Sequence, residues 1–234
     1  MNSYTVFFAF PLMACFAAQA GVVIGGTRFV YPEGADSISF EVKNTSSDTY
    51  LVNTKVTQES GNAPFITTPP LFPISSGDSN KIRIIRTGGN FPNDRESLFH
   101  LNIAAIPAGK APSNSLQIAV KSRMKLFYRP ENLRKGIIDA WQQLKWSNTN
   151  GTWQVKNPSP YYITFSQLKI NNRPNDTLVM LAPFEQQHFT GCENNRLCSI
   201  SWQSINDYGA LTPICRAQIN GGKLRLNSCE TTAK

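Results

Sequence analysis

The sequence carries none of the short motifs that mark common enzyme chemistries. It has no Gly-x-Ser-x-Gly nucleophile elbow, no His-Glu-x-x-His zinc motif, no phosphate-binding loop and no glycine-rich dinucleotide fingerprint. Only two histidines are present, so a histidine-based catalytic or metal site has few candidate members. We therefore expect neither enzymatic activity nor a bound metal or cofactor.

Acidic residues are also scarce. The chain has 15 Asp and Glu against 23 Lys and Arg, which gives a formal net charge of +8 at pH 7. A balance of this kind fits a nucleic acid, an anionic surface or an acidic peptide as partner. The secretion signal described next argues against nucleic acid.

Charged side chains are missing altogether from the first 20 residues. These contain an apolar run from Val6 to Ala18 and end in Ala18-Gln19-Ala20, the small-residue pattern of a cleavage site. The run is too short to span a bilayer, and no later segment is long and apolar enough to do so. We expect a signal peptide over 1–20, cleavage before Gly21 and a secreted protein without membrane insertion.

Cysteine is rare before the last fifth of the chain. Cys15 lies in the leader, and the mature protein keeps an even number of cysteines: Cys192, Cys198, Cys215 and Cys229. In an oxidising compartment four cysteines indicate two disulfides, with three connectivities open. Because pairs close in sequence fit adjacent strands, we favour Cys192 with Cys198 and Cys215 with Cys229. A zinc site is the alternative, but the spacings do not match a zinc-ligand pattern.

Long helical patterns are lacking, and helical turns are expected only near 132–143. Fifteen Pro and fifteen Gly are spread over the chain and separate short apolar segments rich in Val, Ile, Phe and Tyr. Many short strands between turn signals are typical of an all-β sandwich or barrel. The amino-acid composition changes beyond Pro130, so we place a domain boundary near Leu133 and predict domains over 21–133 and 134–234.

The longest strand signal is the stretch LQIAVKSRMKLFYRP, from Leu116 to Pro130. At about 3.3 Å per residue it would span on the order of 40 Å, and Pro130 ends it because proline cannot donate to a ladder. A period of two separates an apolar face from a polar one. The apolar face comprises Leu116, Ile118, Val120, Met124, Leu126 and Tyr128, and the polar face comprises Gln117, Lys121, Arg123, Lys125 and Arg129. We predict a half-buried strand that outruns its own sheet.

A carboxylate stands where the preceding strand becomes apolar. In FPNDRESLFHLNIAAIP, residues 91–107, Glu96 lies directly ahead of the apolar run. An isolated buried carboxylate is costly. Glu96 therefore either stays exposed or has a cationic partner.

Three stretches together carry a family resemblance that covers essentially the whole mature chain. FPNDRESLFHLNIAAIP resembles the signature of the periplasmic pilus-assembly chaperones, the PapD-like immunoglobulin-fold proteins, although His100 stands where an aromatic residue or Thr is usual. SLQIAVKSRMKLFYRP resembles the long last strand of their first domain. SINDYGA, residues 204–210, resembles a loop of their second domain.

The resemblance implies an all-β protein of two immunoglobulin-like domains in a boomerang arrangement, with a cleft that receives a pilus subunit. It also implies the short-loop subclass, because the loop between Ile106 and Leu116 is short. Such a chaperone acts in the periplasm, lends a strand to the subunit and delivers it to an outer-membrane usher. By the resemblance, Arg28 and Lys125 anchor the subunit's C-terminal carboxylate, Leu116, Ile118 and Val120 are the lent apolar residues, and Glu96, Arg129 and Asp207 form interdomain ion pairs.

One point of this assignment conflicts with strict alternation. Counting from Val120, Lys125 falls on the opposite face of the strand. A β-bulge or a strong twist after Val120 would bring the two onto one side.

Two other classes of protein are weighed against the chaperone. A secreted two-domain immunoglobulin-like binding module would explain the strands, the leader and the disulfides, but not the joint occurrence of the three stretches. An enzyme is the weakest alternative, because no motif supports it.

Overall fold

The computed structural model describes residues 21–59, 63–109, 116–134, 139–149, 152–192, 197–220 and 223–230. The predicted signal peptide, 1–20, lies outside these residues. Within them the chain forms two β-sandwiches, each around a hydrophobic core of its own. The predicted all-β, two-domain fold is therefore confirmed.

The first sandwich packs a four-stranded sheet, in the order β1-β3-β7-β5, against a five-stranded sheet, in the order β2-β9-β8-β4-β6. All of its strand pairs are antiparallel except β2 with β9. The strands are β1 (Val22–Ile24), β2 (Arg28–Pro32), β3 (Ile38–Asn44), β4 (Tyr50–Thr57), β5 (Phe65–Thr68), β6 (Leu71–Ile74), β7 (Ser79–Arg86), β8 (Ser97–Pro107) and β9 (Val120–Arg129).

The second sandwich packs a three-stranded sheet, β10-β11-β15, against a larger sheet in the order β13-β12-β16-β17-β18, in which β14 also pairs with β12. Two short 3-10 turns, Glu131–Leu133 and Ala140–Gln142, precede it. The strands are β10 (Lys145–Thr149), β11 (Thr152–Lys156), β12 (Ile163–Ile170), β13 (Arg173–Pro174), β14 (Met180–Leu181), β15 (Gln186–Phe189), β16 (Cys198–Ser204), β17 (Ile214–Asn220) and β18 (Lys223–Glu230).

Alternation of apolar and polar residues explains most of these strands. In β3, for example, Phe40 and Val42 are buried while Ser39, Glu41 and Lys43 are exposed. Burying each such apolar side chain contributes about 1.5 to 3 kcal/mol, which is the main force that holds the two sheets together. Alternation does not explain β10 (KWSNT) and β15 (QQHF), because their mixed polar composition has no clean period of two.

The long-strand prediction is wrong at its N-terminal end. Regular pairing begins at Val120, and Leu116 to Ala119 do not belong to a strand. The ladder to β8 ends at the pair Ala105 with Val120, two residues before Pro107, which has no N–H to donate. The excess length predicted for this segment is therefore present, but as unpaired extension.

Both disulfides lie in the second sandwich. The structure bonds Cys192 to Cys198 and Cys215 to Cys229. The second bond joins the neighbouring strands β17 and β18, where the two cysteines are directly paired.

Each sandwich has a corner organised by a buried asparagine. Asn157, which is fully buried after β11, donates from Nδ2 to the carbonyl oxygens of Tyr161 at 2.7 Å and Ala182 at 2.9 Å. Its Oδ1 accepts from the backbone N–H and the hydroxyl of Ser159, at 3.0 and 2.7 Å. Asn44 makes the same kind of set at the end of β3. These amides satisfy backbone groups that the sheets cannot reach.

Replacing Asn157 with Ala should lower the free energy of unfolding of the second sandwich by about 2 to 4 kcal/mol, because buried carbonyl groups lose their donors. All four tryptophans of the chain, Trp141, Trp146, Trp153 and Trp202, belong to this sandwich, so urea unfolding followed by tryptophan fluorescence reports on it directly. The exposed Asn220→Ala is the control, with an expected change below about 0.5 kcal/mol. Equal urea midpoints for the two variants would contradict the assigned role of Asn157.

Candidate functional site

Neighbouring strands of the first sandwich place two predicted site residues side by side. β2 pairs with β9 so that Arg28 lies beside Lys125, and β8 pairs with β9 so that His100 lies on the other side of Lys125. Directly paired residues project to the same face of a sheet. That face is turned toward the second sandwich, because Lys125 Nζ donates to Thr164 Oγ1 of β12 at 3.2 Å.

Arg28 is held in place without its charge being neutralised. Its side chain is buried, its Nη1 donates to the carbonyl oxygen of Ile205 at 2.5 Å, and its guanidinium lies 4.6 Å above the ring of Phe127. Its Nε has no hydrogen-bond partner among the described residues. A buried N–H donor without a partner is costly, so Arg28 has an unused donor for a further group.

Arg28 and Lys125 form a positively charged site without an ion-paired carboxylate in the described part of the chain. Burial lowers the pKa of the Lys125 ammonium, and the positive charge of Arg28 lowers it further. Burial also lowers the pKa of Arg28, although the negative charges of Asp207 and Glu96 act in the opposite direction. Burial therefore destabilises the charged forms of both side chains, and a bound anion would stabilise them.

A buried ion set joins the two sandwiches next to this site. Arg129, in the last position of β9, is 2.7 Å from Glu96 Oε1 through Nη2, and its Nε donates to the same oxygen at 2.8 Å. Its Nη1 and Nη2 donate to the two carboxylate oxygens of Asp207 at 2.7 and 3.0 Å. Glu96 and Arg129 are nearly inaccessible to solvent, whereas Asp207 is about one-fifth exposed. One guanidinium therefore serves a carboxylate from each sandwich.

Glu96 makes a second contact across the same boundary. Its Oε2 accepts from the backbone N–H of Tyr162 at 2.9 Å, and its own N–H donates to the carbonyl oxygen of Pro160 at 3.0 Å. Burial raises the pKa of the Glu96 carboxyl, while Arg129 and the Tyr162 N–H oppose that rise. These bonds from the first sandwich to Asp207, Tyr162 and Pro160 of the second hold the second sandwich against the face that carries Arg28 and Lys125.

The three predicted donor residues are exposed at the other end of β9. Leu116, Ile118 and Val120 have 83%, 64% and 57% of their surface accessible to solvent. Three large apolar side chains so close together form an exposed patch of the kind that marks an interaction site.

The main chain next to these side chains is also unpaired. β2 reaches β9 only over Lys125–Arg129, so in the described structure the edge of β9 from Val120 to Met124 has no neighbour on that side. Unpaired N–H and C=O groups on a strand edge are ready to pair with another chain.

The bulge considered after Val120 is not found. The pairing of β8 with β9 runs without a register shift from Val120 to Tyr128. Val120 therefore shares its face with Met124, Leu126 and Tyr128, which contribute to the core of the first sandwich, whereas Lys125 lies on the opposite face. The donor side chains continue the apolar row of the core beyond the sheet, and the cations lie on its other side.

Several contributors to the site had no signal in the sequence. The carbonyl of Ile205, the hydroxyl of Thr164 and the N–H of Tyr162 become partners only when the second sandwich docks on the first. His100 was recognised only as an unusual residue for its position. In the structure His100 Nδ1 lies 3.1 Å from Arg123 Nη2. Because a guanidinium can only donate hydrogen bonds, Nδ1 is the acceptor.

Within the described ranges, none of the helical segments has the length and apolar character needed to cross a bilayer. The same ranges contain no group of three or more His, Cys, Asp or Glu side chains placed to hold a metal ion.

Two family models match the chain in succession. Residues 21–134 match the model described as "Pili and flagellar-assembly chaperone, PapD N-terminal domain". Residues 139–215 match the model described as "Pili assembly chaperone PapD, C-terminal domain".

Individual relatives match over most of their length. The chain is 37% identical over 217 residues to an uncharacterized fimbrial chaperone, YcbF of Escherichia coli K12, covering 88% of this chain and 92% of the relative. It is 38% identical over 219 residues to the chaperone protein FocC of Escherichia coli, covering 91% and 94%. A chain from the structure of the Salmonella enterica SafA pilin in complex with the SafB chaperone superposes with a TM-score of 0.74 at 28% identity, covering 92% and 99%.

Replacing Arg129 with Ala should lower the free energy of unfolding by roughly 3 to 5 kcal/mol, because Glu96 would be left buried and unpaired. The matched control is Arg95→Ala, which breaks the exposed pair with Asp94 and should change the stability much less, because solvent screens that pair. Denaturant unfolding followed by circular dichroism measures both. An Arg129→Ala variant as stable as Arg95→Ala would show that the buried ion set contributes little.

Proposed function

The chain belongs to the PapD family of pilus-assembly chaperones, and from this premise we propose that it captures pilus subunits that lack a strand by lending them its own segment Leu116–Val120. One observation carries the proposal. The exposed apolar side chains, the unpaired strand edge and Lys125 all lie on β9 and its N-terminal extension, and Arg28 of β2 lies directly beside Lys125.

The first step is capture of the subunit's C-terminal carboxylate by Arg28 and Lys125. A carboxylate can accept charge-assisted hydrogen bonds from both cations, the planar guanidinium engaging two oxygens and the ammonium acting as a point charge. The unused Nε of Arg28 and the lowered pKa values of both groups support an anion at this position.

The second step is main-chain pairing along the free edge of β9. A subunit strand laid beside Val120–Met124 would satisfy the N–H and C=O groups that the chaperone leaves unpaired there. In the same step Leu116, Ile118 and Val120 enter the open groove of the subunit. Each apolar side chain removed from water contributes about 1.5 to 3 kcal/mol.

The two steps depend on each other through register. A carboxylate fixed at Lys125 sets which subunit residue faces each position along β9. A slip by one residue would turn every apolar side chain of the paired strand to the wrong face. The buried ion set supports the anchor, because it holds the second sandwich, with Ile205 and Thr164, against Arg28 and Lys125.

The cellular setting is part of the same proposal. The sequence features of residues 1–20 support export, and the family's work on pili supports a periplasmic site of action, from which an outer-membrane usher would take over the loaded subunit. The alternative is a binding module for a folded ligand, and no specific observation favours it. A completely folded ligand has no open groove that could accept a strand from this chain.

Replacing Ile118 with Asp should abolish subunit capture and leave the chaperone folded. The side chain is exposed in the free protein, so the new charge costs little there, but it could not enter an apolar groove. Co-purification of tagged chaperone with its subunit from the producing cell measures capture, and circular dichroism checks the fold. The matched control is Ile66→Asp, the same change at a similarly exposed isoleucine of β5, which should capture normally. Equal recovery of subunit with the two variants would refute the donor role.

Replacing Lys125 with Gln should weaken capture and leave the free chaperone as stable as the wild type, or more so. Burial and Arg28 hold the pKa of Lys125 below its ordinary value, so at neutral pH its charge is a cost in the folded state that the variant removes. Loss of one partner from a desolvated charge pair costs roughly 2 to 5 kcal/mol, which corresponds to a loss of affinity of about 30-fold to a few thousandfold.

The control for this prediction changes the ligand instead of the protein. A peptide with the subunit's C-terminal sequence should bind the wild type more tightly with a free carboxylate than with an amide, and Lys125→Gln should reduce that preference. Equal binding of acid and amide by the wild type would rule out the carboxylate anchor.

A further inference from the structure

The outer face of β4, β8 and β9 carries a dense group of cations. Lys121 and Arg123 project from β9 on the same face as Lys125. On β4, two strands away, Lys55 lies in the same row as Arg123 because both pair with Asn102 of β8. This basic face runs from the exposed donor segment at one end to the carboxylate anchor at the other.

A shallow cavity of about 490 Å³ lies between these side chains. Lys55, Lys121 and Arg123 supply its charge, and no carboxylate is among its lining residues. The lining comprises Asn53, Lys55, Thr57, Asn102, Ala104, Lys121 and Arg123. Three positive charges around a polar depression without a counter-charge favour a ligand with several negative groups.

The outer face of the opposite sheet shows that this arrangement is not a general property of a basic protein. There, β3 and β7 expose the cations Lys43, Lys81 and Arg83. Glu41 lies directly opposite Lys81 in that ladder, so carboxylate and cation alternate. Each set compared comprises three exposed cations, but no acidic residue lines the cavity between Lys55, Lys121 and Arg123, whereas Glu41 stands among Lys43, Lys81 and Arg83.

The location of the basic face beside the free edge of β9 indicates which molecule would bind there. Lys121 follows Val120 without a break, so a subunit paired with the free edge of β9 must lie next to the basic face. Arg123 is also tied to the anchor row through His100 Nδ1. We propose that the basic face receives acidic side chains of the captured subunit, so that charge attraction guides the subunit onto β9 before its strand pairs. This inference rests on the proposed function.

Attraction between opposite charges acts mainly on the rate of association. At physiological ionic strength it extends about 8 Å, and it grows as salt is removed. The basic face should therefore speed capture most at low salt and have little effect on how long the finished complex lasts.

The test compares two variants that each lose three positive charges. One carries Lys55→Gln, Lys121→Gln and Arg123→Gln on the basic face, and the control carries Lys43→Gln, Lys81→Gln and Arg83→Gln on the opposite face. The probe is the subunit recovered with the wild-type chaperone in the co-purification experiment. It is diluted from denaturant into each chaperone, and its association and dissociation rates are measured over a series of NaCl concentrations.

The basic-face variant should associate about tenfold more slowly at low salt and show a flatter dependence of the rate on ionic strength. Its dissociation rate and the association rate of the control should stay within about twofold of wild type. Circular dichroism checks both folds. If the triple variant does not fold, Lys55→Gln alone provides the test, since it lies away from the donor strand and should still slow association measurably.

Equal slowing by both triple variants would overturn the inference and leave the proposed function standing, because net charge alone would then explain the effect. Binding of the wild type, but not of the basic-face variant, to phosphatidylglycerol vesicles with unchanged capture rates would assign the face to an anionic membrane surface and overturn the subunit as occupant. A wild type that recovers no subunit at all would overturn the proposed function and the inference with it.

Discussion

The free edge of β9 is the constraint on which the rest of the structure depends. A strand whose N–H and C=O groups have no partner, next to exposed apolar side chains, invites association with any other chain. Here β2 pairs with only the last half of β9, and the pairing with β8 ends at Ala105 and Val120, so Leu116–Ala119 extend beyond the sheet, and Lys121 and Arg123 follow on β9. Met124, Leu126 and Tyr128 pack into the core of the first sandwich and fix β9 in its sheet, so that its unpaired edge keeps a defined position.

We interpret the second sandwich as the part that positions the proposed carboxylate anchor. Arg129 binds Glu96 and Asp207 at once, and Glu96 also binds the backbone of Tyr162, so charge and backbone together fix the two sandwiches. Through this contact Arg28 donates to the carbonyl of Ile205 and Lys125 donates to the hydroxyl of Thr164. In the described part of the chain neither cation forms an ion pair with a carboxylate of the second sandwich. The positive charge is thus oriented in advance and kept unneutralised, which costs stability in the free protein and favours binding of an anion.

Much of this could be predicted from the sequence, and the exceptions have physical reasons. Alternation in β3 and β9 predicts strands because apolar side chains must face the core. Glu96 at the edge of an apolar run predicts either an exposed carboxylate or a cationic partner, and in the structure it is buried against Arg129. The roles of Arg28 and Lys125 came from resemblance alone, since a single cation in a strand has no local signature. The end of regular pairing at Val120 depends on where β8 stops, and the contacts of Ile205, Thr164 and Tyr162 depend on docking of the sandwiches. The residues next to these positions in the sequence therefore predict neither the end of the pairing nor the contacts between the sandwiches.

The central claim is that Leu116–Val120 become the strand of another protein. Hydrogen–deuterium exchange of the free chaperone and of the chaperone bound to its subunit tests this most directly, because it follows the backbone amides themselves. The account predicts rapid exchange of the amides from Gln117 to Ala119 in the free protein and strong protection in the complex, while β3 and β7 on the far sheet exchange alike in both. Equally rapid exchange of Gln117 to Ala119 in the complex would contradict it.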